Sequence, residues 1–248
     1  MHQQAPRSTA DTRTLTQLQS LAITKKLLRT SLGCIAYLRN LFPEDNFKDD
    51  REGDVRIKLL QQGRSIEADT LISWLEGGIF DALTRQYLKT VVLGIGLDPG
   101  NPQEVVEKYT FHLGYHDGHA SLRHVDTQRI DGGNSKAVMK VDASRYIDPI
   151  EGERDWTQQR QHKVMNVGDV KKSVEQMVRR LILFTQTMQA LPGTKSITAR
   201  LYYWDDVTPE DYQPSFFAPT SNESEDHLRL ESESTAVSMG TLRTPCHT

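Results

Sequence analysis

The chain has 248 residues, 37% of them hydrophobic and 25% charged, which is enough to bury a core unaided, and its two cysteines, Cys34 and Cys246, are too few for a disulfide scaffold or a four-cysteine zinc site. With 30 basic and 33 acidic residues the net charge is −3, so no overall field draws the protein to nucleic acid. No run approaches the roughly 20 apolar residues of a membrane span, and the opening MHQQAPRSTADTR lacks the apolar centre of a secretory signal; the expectation is a soluble, intracellular protein.

Residues 1–13 are polar and aperiodic and are expected to be disordered. Between 15 and 42, Leu18, Leu21, Leu28, Leu32, Ile35, Leu38 and Phe42 recur at helical spacings, while Ile23, Leu27, Cys34 and Leu41 add a second apolar face, so this helix is expected to be central. Cys34 therefore reads as an inert buried thiol. Pro43 is expected to end the helix, and Glu44-Asp45-Asn46 to lead out to solvent. A short strand follows at Val55–Leu60, then a helix capped by Ser65 or Asp69 and running through Leu71, Trp74, Leu75, Ile79 and Leu83. Gly77 and Gly78 interrupt it at about 1 kcal/mol each relative to alanine, which predicts a packing reason such as the close approach of another backbone.

Residues 88–97 and 105–115 read as two strands joined at the turn Asp98-Pro99-Gly100-Asn101-Pro102, a hairpin. Residues 116–168 show no single period and read as a long, partly disordered insertion with a minor strand at 138–141. Asp169 is expected to cap a third long helix carrying Val170, Val174, Met177, Val178, Leu181, Thr185 and Met188, which stops at Leu191-Pro192-Gly193. Ile197, Ala199, Leu201 and Tyr203 then alternate along a final strand, broken by Thr208-Pro209-Glu210-Asp211-Tyr212-Gln213-Pro214; the Ser/Glu-rich stretch 221–235 beyond reads as a solvated arm. This order fits an antiparallel sheet with helices gathered on one face, an α+β fold.

Chemical motifs are sparse. His112, His116, His119 and His124 are the densest set of ligand-type residues, but they run from a strand into a loop with no nearby cysteine, a poor basis for tetrahedral zinc. LGIGLDPG at 93–100 lacks the third glycine and the following helix of a dinucleotide fingerprint, and neither a phosphate loop, a nucleophile elbow nor an HExxH pair is present. Lys25-Lys26 and Arg179-Arg180 read as solvated helix faces. The expectation is a binding protein without metal or cofactor, not an enzyme; a chromatin-binding module and a metal-dependent enzyme using the histidines from 112 to 124 are the alternatives.

Five blocks in order carry a resemblance: SLGCIAYLRNLFPEDNF at 31–47, EADTLISWLEGGIFDAL with YLKTVVLGIGLD at 67–98, EKYTFHLGY at 107–115, LFTQTMQALP at 183–192 and LYYWDDVTPEDYQP at 201–214. Together they resemble the HORMA domain of the meiotic chromosome-axis proteins, of fungal type, rather than its spindle-checkpoint branch. The resemblance implies a HORMA fold over 14–248, in which an antiparallel sheet is backed by three long helices and 208–248 forms a mobile C-terminal safety belt. In that family the belt runs on past the segment matching TLRTPCHT, so a shortened form is expected.

The implied function is capture of closure-motif peptides, from axis proteins or from the chain's own full-length form, to assemble the meiotic axis in the nucleus and to support recombination and homologue synapsis. An AAA+ remodelling ATPase would engage residues 1–13; chromatin association would be mainly indirect, with no membrane partner. The peptide is implied to lie along the strand bearing Val106, Tyr109, Phe111, Leu113 and Tyr115 and against Val174, Met177 and Leu181 of the third helix. The other reading of those strand residues is a core facing a helix. Thr208, Pro209, Tyr212, Pro214 and Phe217 are the candidates for the belt's hinge and anchor, or else ordinary turn residues.

Overall fold

The computed structural model describes residues 15–116, 136–145, 167–220, 228–230 and 235–245. The tail at 1–13, Cys246 and most of the insertion lie outside them.

Helix α1 (Gln17–Leu38) opens on a capping box: the Thr16 hydroxyl accepts the Gln19 N–H at 3.2 Å, and the Gln19 side chain accepts the Thr16 N–H at 2.9 Å. Leu27, Leu28, Leu32 and Ile35 are buried, but Leu18, expected on the same stripe, is 80% exposed, because Leu15, Ser20 and Thr24 take the core-facing side at this end. The helix stops before Pro43. Asn40 turns left-handed at φ 52°, its N–H bonding Tyr37 O and that of Leu41 bonding Ala36 O, a double C-terminal cap that satisfies the last carbonyls. The acidic Glu44 and Asp45 are exposed as expected, but after a short 3-10 turn (Glu44–Asn46) the chain enters an unexpected strand, β1 (Phe47–Glu52), which pairs antiparallel with β2 (Val55–Leu60). In β1, FKDDRE, only the end residues are buried, so no alternation marks it.

Ser65 caps α2 (Ile66–Ser73), accepting the Ala68 N–H at 3.2 Å. A π turn (Trp74–Ile79) holding Gly77 and Gly78 then leads into α3 (Phe80–Thr84). β3 (Leu88–Gly96), β4 (Glu104–Val105) and β5 (Glu107–His116) follow, and β3 and β5 form the expected hairpin. The minor strand expected at 138–141 is instead the ten-residue β6 (Lys136–Arg145), paired with β5 along its length. Helix α4 (Val167–Thr187) begins before Asp169, which therefore sits in the first turn, where a carboxylate favours the helix dipole, rather than at the cap. β7 (Ser196–Tyr203), β8 (Arg229–Leu230) and β9 (Thr235–Pro245) complete the chain.

The main sheet has five antiparallel strands in the order β7-β3-β5-β6-β9. One face is filled: Val91, Leu93 and Ile95 of β3 and Tyr109, Phe111 and Leu113 of β5 pack in one core with α1 and with Val170, Val174, Met177, Val178 and Leu181 of α4. On the other face Val92, Val105 and Leu228 form a small separate cluster. Leu228 and β8 fall inside the stretch expected to be a solvated arm; Leu228 is buried and β8 pairs in parallel with β4.

A buried ion pair ties the elements together. Arg39, at the end of α1, grips Glu107 of β5 with two bonds of 2.9 and 2.7 Å and also reaches the Gln189 carbonyl beyond α4, while the Tyr109 hydroxyl donates to the same carboxylate. Cys34 is buried and burial pushes its thiol up to about 11, the inert state expected of it. Lys26 and Arg179 pair with Glu52 and Glu175 on the surface.

Candidate functional site

The strand expected to receive a peptide is closed to one. β5 has β3 on one side and β6 on the other, so its backbone groups are already spent in two ladders. Tyr109 and Phe111 are fully buried, Leu113 nearly so, and Tyr115 packs against the same core. The Val106 N–H bonds Ile95 O at 2.8 Å. On α4, Val174, Met177 and Leu181 lie under the sheet with at most 4% exposed. This corrects the expectation for these eight residues: Tyr109, Phe111, Leu113, Val174, Met177 and Leu181 are core, half-buried Tyr115 packs against them, and half-buried Val106 spends its N–H on Ile95, so the strand offers no free edge to a ligand.

The available margin is β7. Its inner side pairs with β3 from Ser196↔Gly96 to Tyr203↔Leu88, and its outer side has no strand partner among the described residues. All eight of its residues are half-buried. Ile197, Ala199, Leu201 and Tyr203 pack on the helix-side core, while Thr198, Arg200 and Tyr202 stand opposite Gly94, Val92 and Thr90 and share their face. The Trp204 N–H extends the ladder to Tyr87 O at 2.9 Å. β9, the strand at the other end of the sheet, is a poorer template: its ladder is broken by a register shift at Val141/Asp142, opposite Gly240 at φ 126°, and such a bulge blunts an edge.

Two polar groups on the β7 margin have no partner among the described residues. Arg200 Nε and Trp204 Nε1 are both sealed from solvent and unbonded. Buried donors are nearly always satisfied, so a pair of orphans beside an unpaired strand is out of the ordinary. Lys89 lies 5.1 Å from the centre of the Trp204 ring, adding positive charge nearby.

After Trp204 the chain docks back on the helix side. Thr208 closes a turn, its hydroxyl and its N–H both bonding Trp204 O, and Pro209 starts the next, with the Tyr212 N–H on its carbonyl at 3.0 Å. The Tyr212 ring meets Tyr87 and Tyr203 edge-on, with centroids 4.9 and 5.5 Å away, and its hydroxyl donates to Asp81 of α3 at 2.8 Å. Burial, then the bond to Asp81, push its ionisation well above the ordinary tyrosine range. Pro214 is buried and the Phe217 ring lies 6.4 Å from that of Trp74.

Here the two glycines find their reason. A side chain on Gly77 would meet the Phe216 ring at 2.7 Å, and one on Gly78 would strike the Phe217 ring and sit 2.8 Å from the Ser215 carbonyl. Phe216 itself is held at φ 70°, rare for an aromatic residue, and that bend delivers Phe217 to the helix. Leu228 then lies on the opposite face of the sheet, where a side chain on Gly94 would meet it at 2.7 Å, and β9 ends the path beyond β6. The segment after β7 thus touches both faces and the far margin of the sheet.

Of the four histidines, only His112 has a described side chain. His112 Nδ1 lies 3.2 Å from Thr90 Oγ1, His119 and His124 fall outside the described residues, and no group of three His, Cys, Asp or Glu suited to a metal occurs among the described residues. No described helix is long and apolar enough to cross a membrane.

The sequence reading passed over Arg200, Trp204, Gly94 and Leu228. A signal existed for the first: an arginine inside the apolar and aromatic run ITARLYYW has to find an anion, an aromatic face or water.

Comparison with known proteins agrees with this geometry. The HORMA domain family model matches residues 20–247. HORMA domain-containing protein 1 of Xenopus laevis is 32% identical over 100% of this chain and 55% of its own length; meiosis-specific protein HOP1 of Saccharomyces cerevisiae is 31% identical over 94% and 38%. The chain therefore spans about half or less of these curated relatives. Among solved structures, C. elegans HTP-2 bound to HTP-3 closure motif 1 superposes with a TM-score of 0.66 at 16% identity, covering 92% of this chain and 84% of that one. HTP-1 bound to HTP-3 motif-1 gives 0.64 at 15%, covering 93% and 92%. At such identities these two speak to the fold.

Proposed function

Because this chain belongs to the HORMA domain family, we propose that it is a meiotic chromosome-axis adaptor that captures closure-motif peptides of axis proteins, its own full-length form included. The observation that carries this is the unpaired β7 margin, flanked by a C-terminal segment docked on the helices at Tyr212 and Phe217 and on the opposite face at Leu228. An added strand gains backbone hydrogen bonds along β7, and its alternate side chains select the sequence. The segment from Thr208 onward acts as the belt: Thr208 and Pro209 are the hinge, Tyr212, Pro214 and Phe217 the anchor, and release of the peptide waits on their undocking. Support comes from the relative named as meiosis-specific and from the HORMA structures bound to closure motifs. The same reading places the protein in the nucleus on meiotic chromosomes, in axis assembly, recombination and synapsis, with residues 1–13 as the handle of an AAA+ ATPase.

Selection of a random linear dodecapeptide library against the folded chain, followed by amide exchange and dissociation kinetics of the enriched peptides, tests it. The expected result is protection at 196–203 and release about tenfold faster once Tyr212 and Phe217 are both changed to alanine, the loss of roughly 1.4 kcal/mol of barrier. Protection elsewhere, or release unaffected by the double change, would overturn it.

A further inference from the structure

Arg200 and Trp204 define the chemistry of the ligand that β7 accepts. Arg200 stands at the middle of the free margin, opposite Val92, on the face of the sheet that the helices leave uncovered. Its Nε is shut off from water and unbonded, and so is Trp204 Nε1 at the end of the same strand. Leaving such a donor unsatisfied destabilises the fold, and more so when it belongs to a charged group. An arginine whose only purpose was to screen the strand would keep its head in water along its whole length.

Among the described residues, the charges around this position do not answer it. Lys89, against the Trp204 ring, has the same sign as Arg200. Asp205 and Asp206 follow Trp204 into an exposed turn, and neither satisfies the orphaned Nε. Glu104, exposed on β4, does not bond the Nε either. Val92, Val105 and Leu228, the buried neighbours on that face, offer no side-chain acceptor.

We propose that the peptide captured at β7 carries an aspartate or glutamate that pairs with Arg200, and about four residues along it a group whose oxygen accepts from Trp204. This rests on the peptide-capture reading and deepens it from "an extended strand" to "an acidic extended strand". A strand laid on the outer edge of β7 places every second side chain on the face Arg200 shares with Thr198 and Tyr202. A carboxylate at the position beside Arg200 takes the fork of the guanidinium, a charge-assisted contact that also satisfies the buried Nε. Selectivity follows from the penalty as much as from the bond: an apolar residue leaves the orphan unsatisfied, a basic one adds like charge, and a neutral amide satisfies it without the charge.

The test repeats the dodecapeptide selection with the wild-type chain and with Arg200→Met and Arg200→Glu, each first shown by thermal melting to fold. The wild type is expected to enrich peptides with Asp or Glu at one fixed position, and replacing that acid by Asn or Gln is expected to weaken binding about tenfold or more. Arg200→Met is expected to lose the preference at that position while still enriching peptides, and Arg200→Glu to exchange it for Lys or Arg. Enrichment by the wild type with no fixed acidic position, or an acidic preference that survives Arg200→Met, would overturn the inference and leave peptide capture standing. Enrichment of nothing by any of the three chains would overturn peptide capture itself, and this inference with it.

Discussion

β5 and β7 are of similar length, lie one strand apart and have alternating apolar side chains, yet they stand in opposite relations to the rest of the molecule. β5 is paired on both sides, its inward side chains are fully buried, and its one carboxylate, Glu107, is answered by Arg39, Tyr109 and the sheet around it. β7 is paired on one side, no residue in it is fully buried, and the donor of its one arginine is unanswered. The lesson concerns where polarity is placed. A charge that closes on a partner inside the fold holds the fold together, whereas one left open at a margin is available to something outside it.

The largest expected effect separates these two charges. Glu107→Gln removes the anion and leaves the Arg39 guanidinium buried without a counter-charge, so it should cost about 3–5 kcal/mol in urea unfolding. Arg200→Met should change stability by no more than about 0.5 kcal/mol, or stabilise, because it removes a donor that has nothing to bond. Equal losses at the two positions would mean that β7 is as integral as β5 and would break the comparison.

A smaller effect tests the segment that flanks β7. Gly78→Val pushes a branched side chain into the Phe217 ring and toward the Ser215 carbonyl, 2.8 Å from where its Cβ would sit. The overpacking should cost about 1–3 kcal/mol, relieved by undocking of 212–217. Amide exchange should then quicken through 208–220 while the β5 amides keep their protection. If β5 loosens equally, belt and core unfold as one unit and the contrast between them is lost.

How far these differences could be read in advance depends on which physics each residue answers to. Period and capping rules found β2, the β3–β5 hairpin, the Ser65 cap, the strand at 196–203 and the burial of Cys34, because local propensity and core packing agree there; that strand is expected to be the final one, and β8 and β9 follow it. They missed β1, whose Lys48, Asp49, Asp50 and Arg51 are all exposed, and underestimated β6, which owes its length to the two strands that flank it. Gly77 and Gly78 were legible as a packing site, but their partners, Phe216 and Phe217, lie far along the chain and no pattern connects them. The site was misplaced for a similar reason. Alternation shows which side chains of a strand face a core, and it is the same for a strand in the middle of a sheet as for one at its margin; strand order is a tertiary fact.

The smallest effect isolates one bond of the anchor. Tyr212→Phe keeps the ring between Tyr87 and Tyr203 and deletes only the hydroxyl that donates to Asp81, 2.8 Å away, so at neutral pH it should cost about 0.5–1.5 kcal/mol, at the low end because both groups are partly open to water. Its signature lies at alkaline pH. The folded state raises the ionisation of Tyr212 above the value of 10.0 it starts from, through burial first and then Asp81, and burial raises Tyr203 to about 12. A raised group contributes its full stability below the unfolded value and loses it as pH climbs through the folded one, because the unfolded chain gives up its proton first. Melting temperature should therefore be little affected by these groups up to about pH 9 and fall increasingly above 10, where unfolded tyrosine ionises. Tyr212→Phe should make that fall shallower, Tyr203 and the still more deeply buried Tyr109 carrying the remainder. An unchanged slope would show that the Tyr212 hydroxyl bears no proton-linked share of the fold, and the anchor would then rest on its ring contacts and on Phe217 alone.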